Sequence, residues 1–317
     1  MNGSPTLTRR MERLAHELED EGIALPDDDR LLALLLAELD YARHPHAHEG
    51  TPPRYGAFVA ATELTLPDSL EPFAVIDTGE APLEVVRRLA DGRSSFVARG
   101  IDVPDRLVSF DRTREYESSA VHLAQTTGGL VLQRLAQGWV RMAAPNGVFT
   151  WDGIHWSTKP LPAALAARIH QLIPQADLHV LGRLLEFCVH WLGAGRVGAS
   201  LIWRLDADPQ DLGHLGFGAA VTIPQLDLAR HEHFSPLLNA LSQFDRAALV
   251  APDGSIRTIC VQMRSSEEAR AKVATYRGTR HTAALRFSAD ERDALVFVVS
   301  SNGPLTVCWQ GERLDIQ

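Results

Sequence analysis

The chain has 317 residues, 45% of them hydrophobic and 22% charged, with a net charge of -9 from 31 basic and 40 acidic side chains. That length can bury a sizeable core and predicts two domains. The acidic balance excludes non-specific binding to nucleic acid, so a polyanionic ligand would need a local basic site.

Residues 7–22 read as a charged amphipathic helix, and Asp29 is placed to cap a second helix over 30–41. The apolar stretch 31–39 is too short to span a bilayer and carries Glu38. No basic start precedes a long apolar run, so no signal peptide is expected and the protein is read as soluble and cytoplasmic, with no membrane partner. His44, His46 and His48 alternate in a Pro-rich segment without partner ligands at helical or finger spacing, which reads as a solvated loop rather than a metal site.

Strands are predicted at 55–61 and 73–76, with a helix at 82–90. Runs at 130–135, 139–143 and 148–151 are punctuated by Gly138, Pro145-Asn146-Gly147 and Asp152-Gly153, the pattern of successive β-hairpins. Trp139, Trp151 and Trp156 on these strands are weighed as core residues before they are weighed as the lining of a ligand pocket. Pro160 and Pro162 interrupt the pattern and place a boundary between residues 1–160 and 161–317.

Beyond it, helices are predicted at 163–172, 177–193, 234–241 and 266–273, and another over 281–287 after a turn at Gly278. Strands are expected at 197–205, 245–250, 256–263, 295–300 and 305–309, the last two joined by Ser301-Asn302-Gly303. Helices mixed with hairpins argue for an α/β domain with a mixed central sheet flanked by helices, preceded by a smaller α+β domain. Cys188, Cys260 and Cys308 are widely spaced without CxxC pairing, which predicts reduced, structural thiols.

The chemistry concentrates late in the chain. Gly278-Thr279-Arg280-His281-Thr282-Ala283 puts two phosphate-binding donors behind a glycine, where a backbone can approach a ligand closely. Asp245 precedes the strand that starts at Ala247. A carboxylate for a hard cation and a cationic pair for a polyphosphate are the minimal parts of a metal-nucleotide site. No Ser-His-Asp or Cys-His arrangement competes with it. Arg230-His231-Glu232-His233 reads as surface, because its histidines are two apart. Gly193, Gly195 and Gly198 have GxGxxG spacing but follow a helix and enter a strand, the reverse of a dinucleotide fingerprint.

From about residue 178 onward the order of motifs resembles the diadenylate cyclase (DAC) domain of DisA-type proteins. Leu184-Leu185-Glu186-Phe187 and then Gly198-Ala199-Ser200-Leu201-Ile202-Trp203 are similar to the family's opening helix and first strand. Leu226-Asp227 stands at its Leu-Asp entry to the next helix, Asp245-Arg246-Ala247 at its Asp-Gly-Ala, and Gly278-Thr279-Arg280-His281-Thr282-Ala283 at its Gly-Thr-Arg-His-Arg-Ala. Residues 1–160 look like the sensor regions that precede DAC domains in some bacterial proteins.

The resemblance implies condensation of two ATP molecules into cyclic di-AMP and pyrophosphate, between two facing domains, with Mg²⁺ or Mn²⁺. Asp245 would bind the metal and help activate the ribose 3′-hydroxyl, and Arg280 and His281 would hold the phosphates. Leu226, Asp227, Arg246, Ala247, Gly278, Thr279 and Thr282 would line the nucleotide. The chain departs from the family at Arg246 (glycine there), Thr282 (arginine there) and Ser301-Asn302 (an acidic pair there). One reading moves the guanidinium from 282 to 246 with its task intact. The alternative is a catalytically degenerate domain that binds a nucleotide as a sensor.

Overall fold

A computed structural model describes residues 8–45, 52–67, 73–206, 217–221 (backbone), 223–244, 246–276, 278–301 and 305–316. Asp245, His46, His48, Arg277 and Asn302 lie outside the described residues. The chain divides into two compact units, residues 1–160 and 161–317.

The first unit opens with α1 (Arg9–Asp20) and α2 (Asp29–Arg43). The cap of α2 is Asp28 rather than Asp29. Its Oδ1 accepts the N–H groups of Arg30 and Leu31 at 2.8 and 3.0 Å, leaving Asp29 as the acidic residue of the first turn. Then come β1 (Tyr55–Ala60), β2 (Phe73–Asp77), α3 (Leu83–Arg88), β3 (Ser95–Gly100), β4 (Arg106–Phe110), α4 (Glu117–Thr127), β5 (Leu130–Arg134), β6 (Val140–Ala144), β7 (Gly147–Trp151) and β8 (Trp156–Lys159).

These strands form one sheet in the order β2-β4-β3-β1-β5-β6-β7-β8, parallel between β1 and β3 and antiparallel elsewhere. Leu14, Leu18, Leu35, Leu36 and Leu39 of the first two helices cover one face. Trp156 is buried there and donates to Glu17 Oε1 at 2.8 Å, while the Arg43 guanidinium lies 4.4 Å from the centre of the Trp151 ring. Both tryptophans are packing residues. Helix α4 goes unannounced in the sequence reading, since its Ser118, Ser119, Thr126 and Thr127 carry little helical periodicity. Gly128, left-handed at φ 66°, ends it.

The second unit holds α5 (Pro162–Leu172) and α6 (Leu178–Glu186), which continues into a π-helical stretch, Phe187–Gly193. The further elements are β9 (Ala199–Arg204), β10 (Phe217–Val221), β11 (Leu226–Asp227), α7 (Phe234–Gln243), β12 (Ala247–Val250), β13 (Ser255–Val261), α8 (Glu267–Lys272), α9 (Thr279–Asp290), β14 (Ala294–Val299), β15 (Leu305–Trp309) and β16 (Glu312–Arg313).

The sheet order is β10-β13-β12-β9-β14-β15-β16, with β11 also paired to β13. Strands β9 and β12 are parallel and the other pairs antiparallel, so the sheet is mixed. Alternation on β9 separates two cores. Leu201 and Trp203 face the cluster with Leu184, Phe187 and Leu237, whereas Ile202 joins Ala247, Val298, Leu285 and Phe287 under α9. The unit is therefore a three-layer α/β arrangement. The three cysteines are free thiols, and burial pushes the Cys308 thiol up to about 12, so it is protonated and inert at neutral pH.

Candidate functional site

The site is assembled at one end of the second sheet. Parallel pairing sets Ala247 of β12 beside Ser200 of β9, so both strands begin at this end. Antiparallel pairing sets Val299 of β14 beside Ala199, so β14 finishes there. The first turn of α9 completes the cluster. A Cβ built on Gly198 would overlap Nη1 of Arg280 and stand 3.3 Å from the backbone nitrogen of Ser301. Arg280, Gly198, Ser200, Ser301, Arg246 and Ala247 thus meet around the starts of β9 and β12.

Helix α9 begins at Thr279, two residues before the predicted start, so Arg280 and His281 lie in a first helical turn and not on a free turn ahead of it. Gly278 takes φ 144°, a region open to glycine, and no side chain caps the helix. The first N–H groups of an uncapped helix point outward with a positive dipole, the ordinary setting for an anion. Thr279 is exposed and Arg280 and His281 are half-buried.

Thr282 is buried, and its hydroxyl is engaged twice. Oγ1 accepts the Tyr276 N–H at 3.0 Å and donates to the Tyr276 carbonyl at 2.9 Å. This ties the preceding loop to the helix and sets the Tyr276 ring 6.1 Å from the His281 ring, edge to face. The guanidinium of Arg313 stacks 5.2 Å from the Tyr276 ring and donates to its hydroxyl. The residue that departs from the family's second arginine therefore fixes the loop that supports His281.

Arg246 has φ 132°, a conformation that side chains rarely adopt, and its side chain is exposed. The backbone at this position keeps a glycine geometry although the residue is arginine. Arg246→Gly is expected to raise the stability of the chain by about 1 kcal/mol through relief of this strain. An unchanged or lower midpoint in urea unfolding would contradict that. Ala247 is fully buried under α9 and stands one residue inside the site.

Leu226 and Asp227 are placed elsewhere. Leu226 pairs with Ile256, which pairs with Val250, so they sit at the far end of β12 from Ala247, about 10 Å along the strand. The Asp227 N–H donates to His233 Nδ1 at 3.0 Å, and Oδ1 accepts the Ala229 N–H at 2.8 Å. These contacts build the turn into α7. They also occupy His233, while His231 packs against Trp191 and Phe234.

Helix α9 also borders an open groove of about 500 Å³ lined by Met263, Ser265, Arg270, Thr275, Thr279 and Arg286. Thr279, Thr282, Ala283 and Arg286 face it at helical spacing while Arg280 faces the sheet end, so the first turn serves both.

Among the described residues, no three His, Cys, Asp or Glu side chains gather into a metal cage. Mg²⁺ keeps several waters and takes one or two protein carboxylates with substrate phosphates, so a nucleotide-borne cation needs little more than one carboxylate from the chain. Two residues of the sheet end escaped the sequence reading as site residues. Gly198 reads from sequence as the last glycine of a rejected GxGxxG spacing and as the opening of a strand. Ser200, 1% exposed, carries a hydroxyl without a hydrogen-bond partner among the described residues. Strand alternation, which puts 198, 200 and 202 on one face, is the signal that finds them.

Residues 189–313 match the family described as "DisA bacterial checkpoint controller nucleotide-binding" (DAC), and residues 12–160 match "Probable sensor domain DACNK". The chain carries a DAC domain behind a DACNK domain. The DAC match spans the whole sheet end, from the π-helical stretch through Gly198, Ala247 and Arg280 to Ser301. The description of the DAC family makes the second unit a nucleotide-binding domain. No curated protein matches the chain. Among solved structures, a hypothetical membrane spanning protein from Bacillus cereus is similar at 20% identity, over 46% of this chain and 75% of that one, with a TM-score of 0.28. In the DACNK–DAC chain, no helix among the described residues is long and apolar enough to cross a membrane.

Proposed function

We propose that the DAC domain is a diadenylate cyclase that condenses two ATP molecules into cyclic di-AMP and two pyrophosphates. The observation that carries this reading is the convergence of Arg280, the uncapped start of α9 and the start of β12 at one end of the sheet, within a DAC match. The 3′-hydroxyl oxygen of one ATP attacks the α-phosphorus of the other. The new O–P bond forms as the bond to the β-phosphate oxygen breaks, and the hydroxyl proton passes to solvent or to a carboxylate. A second, reciprocal step closes the ring.

Phosphoryl transfer of this kind rests on positioning and charge stabilisation. Arg280 and the first N–H groups of α9 offset charge on the departing pyrophosphate, and His281, braced by Tyr276, holds a phosphate oxygen. Asp245 is the carboxylate for Mg²⁺ or Mn²⁺, which when bound neutralises phosphate charge and favours ionisation of the attacking hydroxyl. Each domain supplies half of the reaction, so two copies must face each other, and the DACNK domain regulates that meeting.

A second reading is favoured by one observation. Arg246 stands exposed on a glycine backbone where the nucleotide would approach, and this suits a degenerate domain that binds a nucleotide as a sensor. Calorimetric titration of the full chain with ATP, with and without Mg²⁺, tests the binding common to both. Saturable binding that tightens with Mg²⁺ is expected, and no binding under either condition would remove both readings.

A further inference from the structure

Glycine at position 198 is not explained by its backbone. Its φ is not among the positive values, so a side chain is tolerated there on conformational grounds. What glycine supplies is room. A Cβ at 198 would overlap Nη1 of Arg280, stand 3.5 Å from its Cζ and stand 3.3 Å from the Ser301 nitrogen. The guanidinium enters tip-first, with Nη1 in the space beside the start of β9 that a side chain at 198 would fill.

That position is chemically particular. Gly198 lies at the strand end that faces α9, two residues before Ser200 on the same face. An arginine in a helical first turn has four rotatable side-chain bonds and ordinarily loses considerable entropy when a ligand fixes it. Contact with a glycine backbone restricts it beforehand and keeps its fork at the sheet end, where the starts of β9 and β12 and the end of β14 meet.

We infer that Gly198 is a positioning residue: it provides the seat that holds the Arg280 guanidinium ready for the polyphosphate of a nucleoside triphosphate. The inference rests on the nucleotide reading above and adds to it a residue that need not touch the ligand. The atom a Cβ would overlap is the far end of a flexible side chain, and the backbone nitrogen of Ser301, at 3.3 Å, need give by only a few tenths of an ångström. Gly198→Ala is therefore accommodated by turning Arg280 away, so the chain folds while the seat is lost.

The experiment is a double-mutant cycle on the full chain, read by calorimetry with Mg-ATP and with adenosine. Gly198→Ala is expected to weaken Mg-ATP binding about 10- to 100-fold, the worth of one charge-assisted contact, and to leave adenosine binding as in the native chain. In an Arg280→Ala background the same change at 198 is expected to have no further effect on Mg-ATP. If Gly198→Ala lowers the unfolding midpoint, the double variant Gly198→Ala/Arg280→Ala is expected to restore it, because the overlapped atoms are gone.

An equal loss of Mg-ATP affinity with and without Arg280, an equal loss for adenosine, or a midpoint that the double variant fails to restore would each overturn the inference. Native-like Mg-ATP binding by Gly198→Ala would overturn it alone, leaving the nucleotide reading standing. Failure of the native chain to bind Mg-ATP would overturn both.

Discussion

Arg280→Ala is expected to lower the rate of cyclic di-AMP formation about 10²–10³-fold, the usual effect of removing one donor that stabilises charge developing in a transition state. Arg280 sits in the first turn of an uncapped twelve-residue helix, with its guanidinium against Gly198. Its charge adds to the dipole of the same helix end, and neither Thr282 nor Tyr276 can replace it, since the Thr282 hydroxyl is engaged with the Tyr276 backbone and the Tyr276 hydroxyl accepts from Arg313. Arg280→Lys keeps the charge but not the two-pronged geometry, so its activity should fall between native and alanine. A product rate that survives Arg280→Ala within a factor of three would remove Arg280 from the chemistry.

The second large effect is structural and belongs to the DACNK domain. Glu38 of α2 is fully buried and accepts from four donors: Tyr55 Oη, Arg87 Nε at 3.0 Å, Arg87 Nη2 at 2.6 Å and Arg99 Nη1. Asp105 also accepts from Arg99 Nε, at 3.1 Å. Burial, and then the neighbouring carboxylate, raise the Tyr55 hydroxyl well above its ordinary value, so tyrosine remains a donor at any working pH.

Removing Glu38 takes the carboxylate from the largely buried Arg87 guanidinium and leaves the largely buried Arg99 with Asp105. Glu38→Ala is therefore expected to destabilise the domain by about 3–5 kcal/mol, the cost of breaking a buried ion pair from one side. Hydrogen exchange on the full chain reads this locally. Amides of β1 and β3 should lose protection while those of β9 and β14 keep theirs. Unchanged protection in β1 and β3 would contradict the network.

Elements with strong local signals were legible in advance. The three strands from Leu130 to Trp151 follow their turn residues, and α7, α8, β14 and β15 appear where periodicity and turn chemistry put them. Elements without such signals were not. The hydroxyl-rich α4 and the Gly-Ala strand β10 depend on tertiary pairing, which no window of sequence displays. The site divides in the same way. Arg280 and His281 are marked by their own chemistry. Thr282 reads as a ligand contact until its hydroxyl is found on Tyr276, and Leu226-Asp227 reads as part of the site until strand pairing sets it at the other end of β12. Glu38 reads as a charge that spoils an apolar stretch. Only the fold shows that two distant arginines meet it.

The most direct test of the account is mass spectrometry of the product formed from ATP with Mn²⁺ or Mg²⁺ by the native chain and by Asp245→Asn. Cyclic di-AMP that needs the metal and vanishes with Asp245→Asn is the predicted result. No product from a native chain that binds ATP saturably, or product undiminished in Asp245→Asn, would contradict a cyclase built on this site.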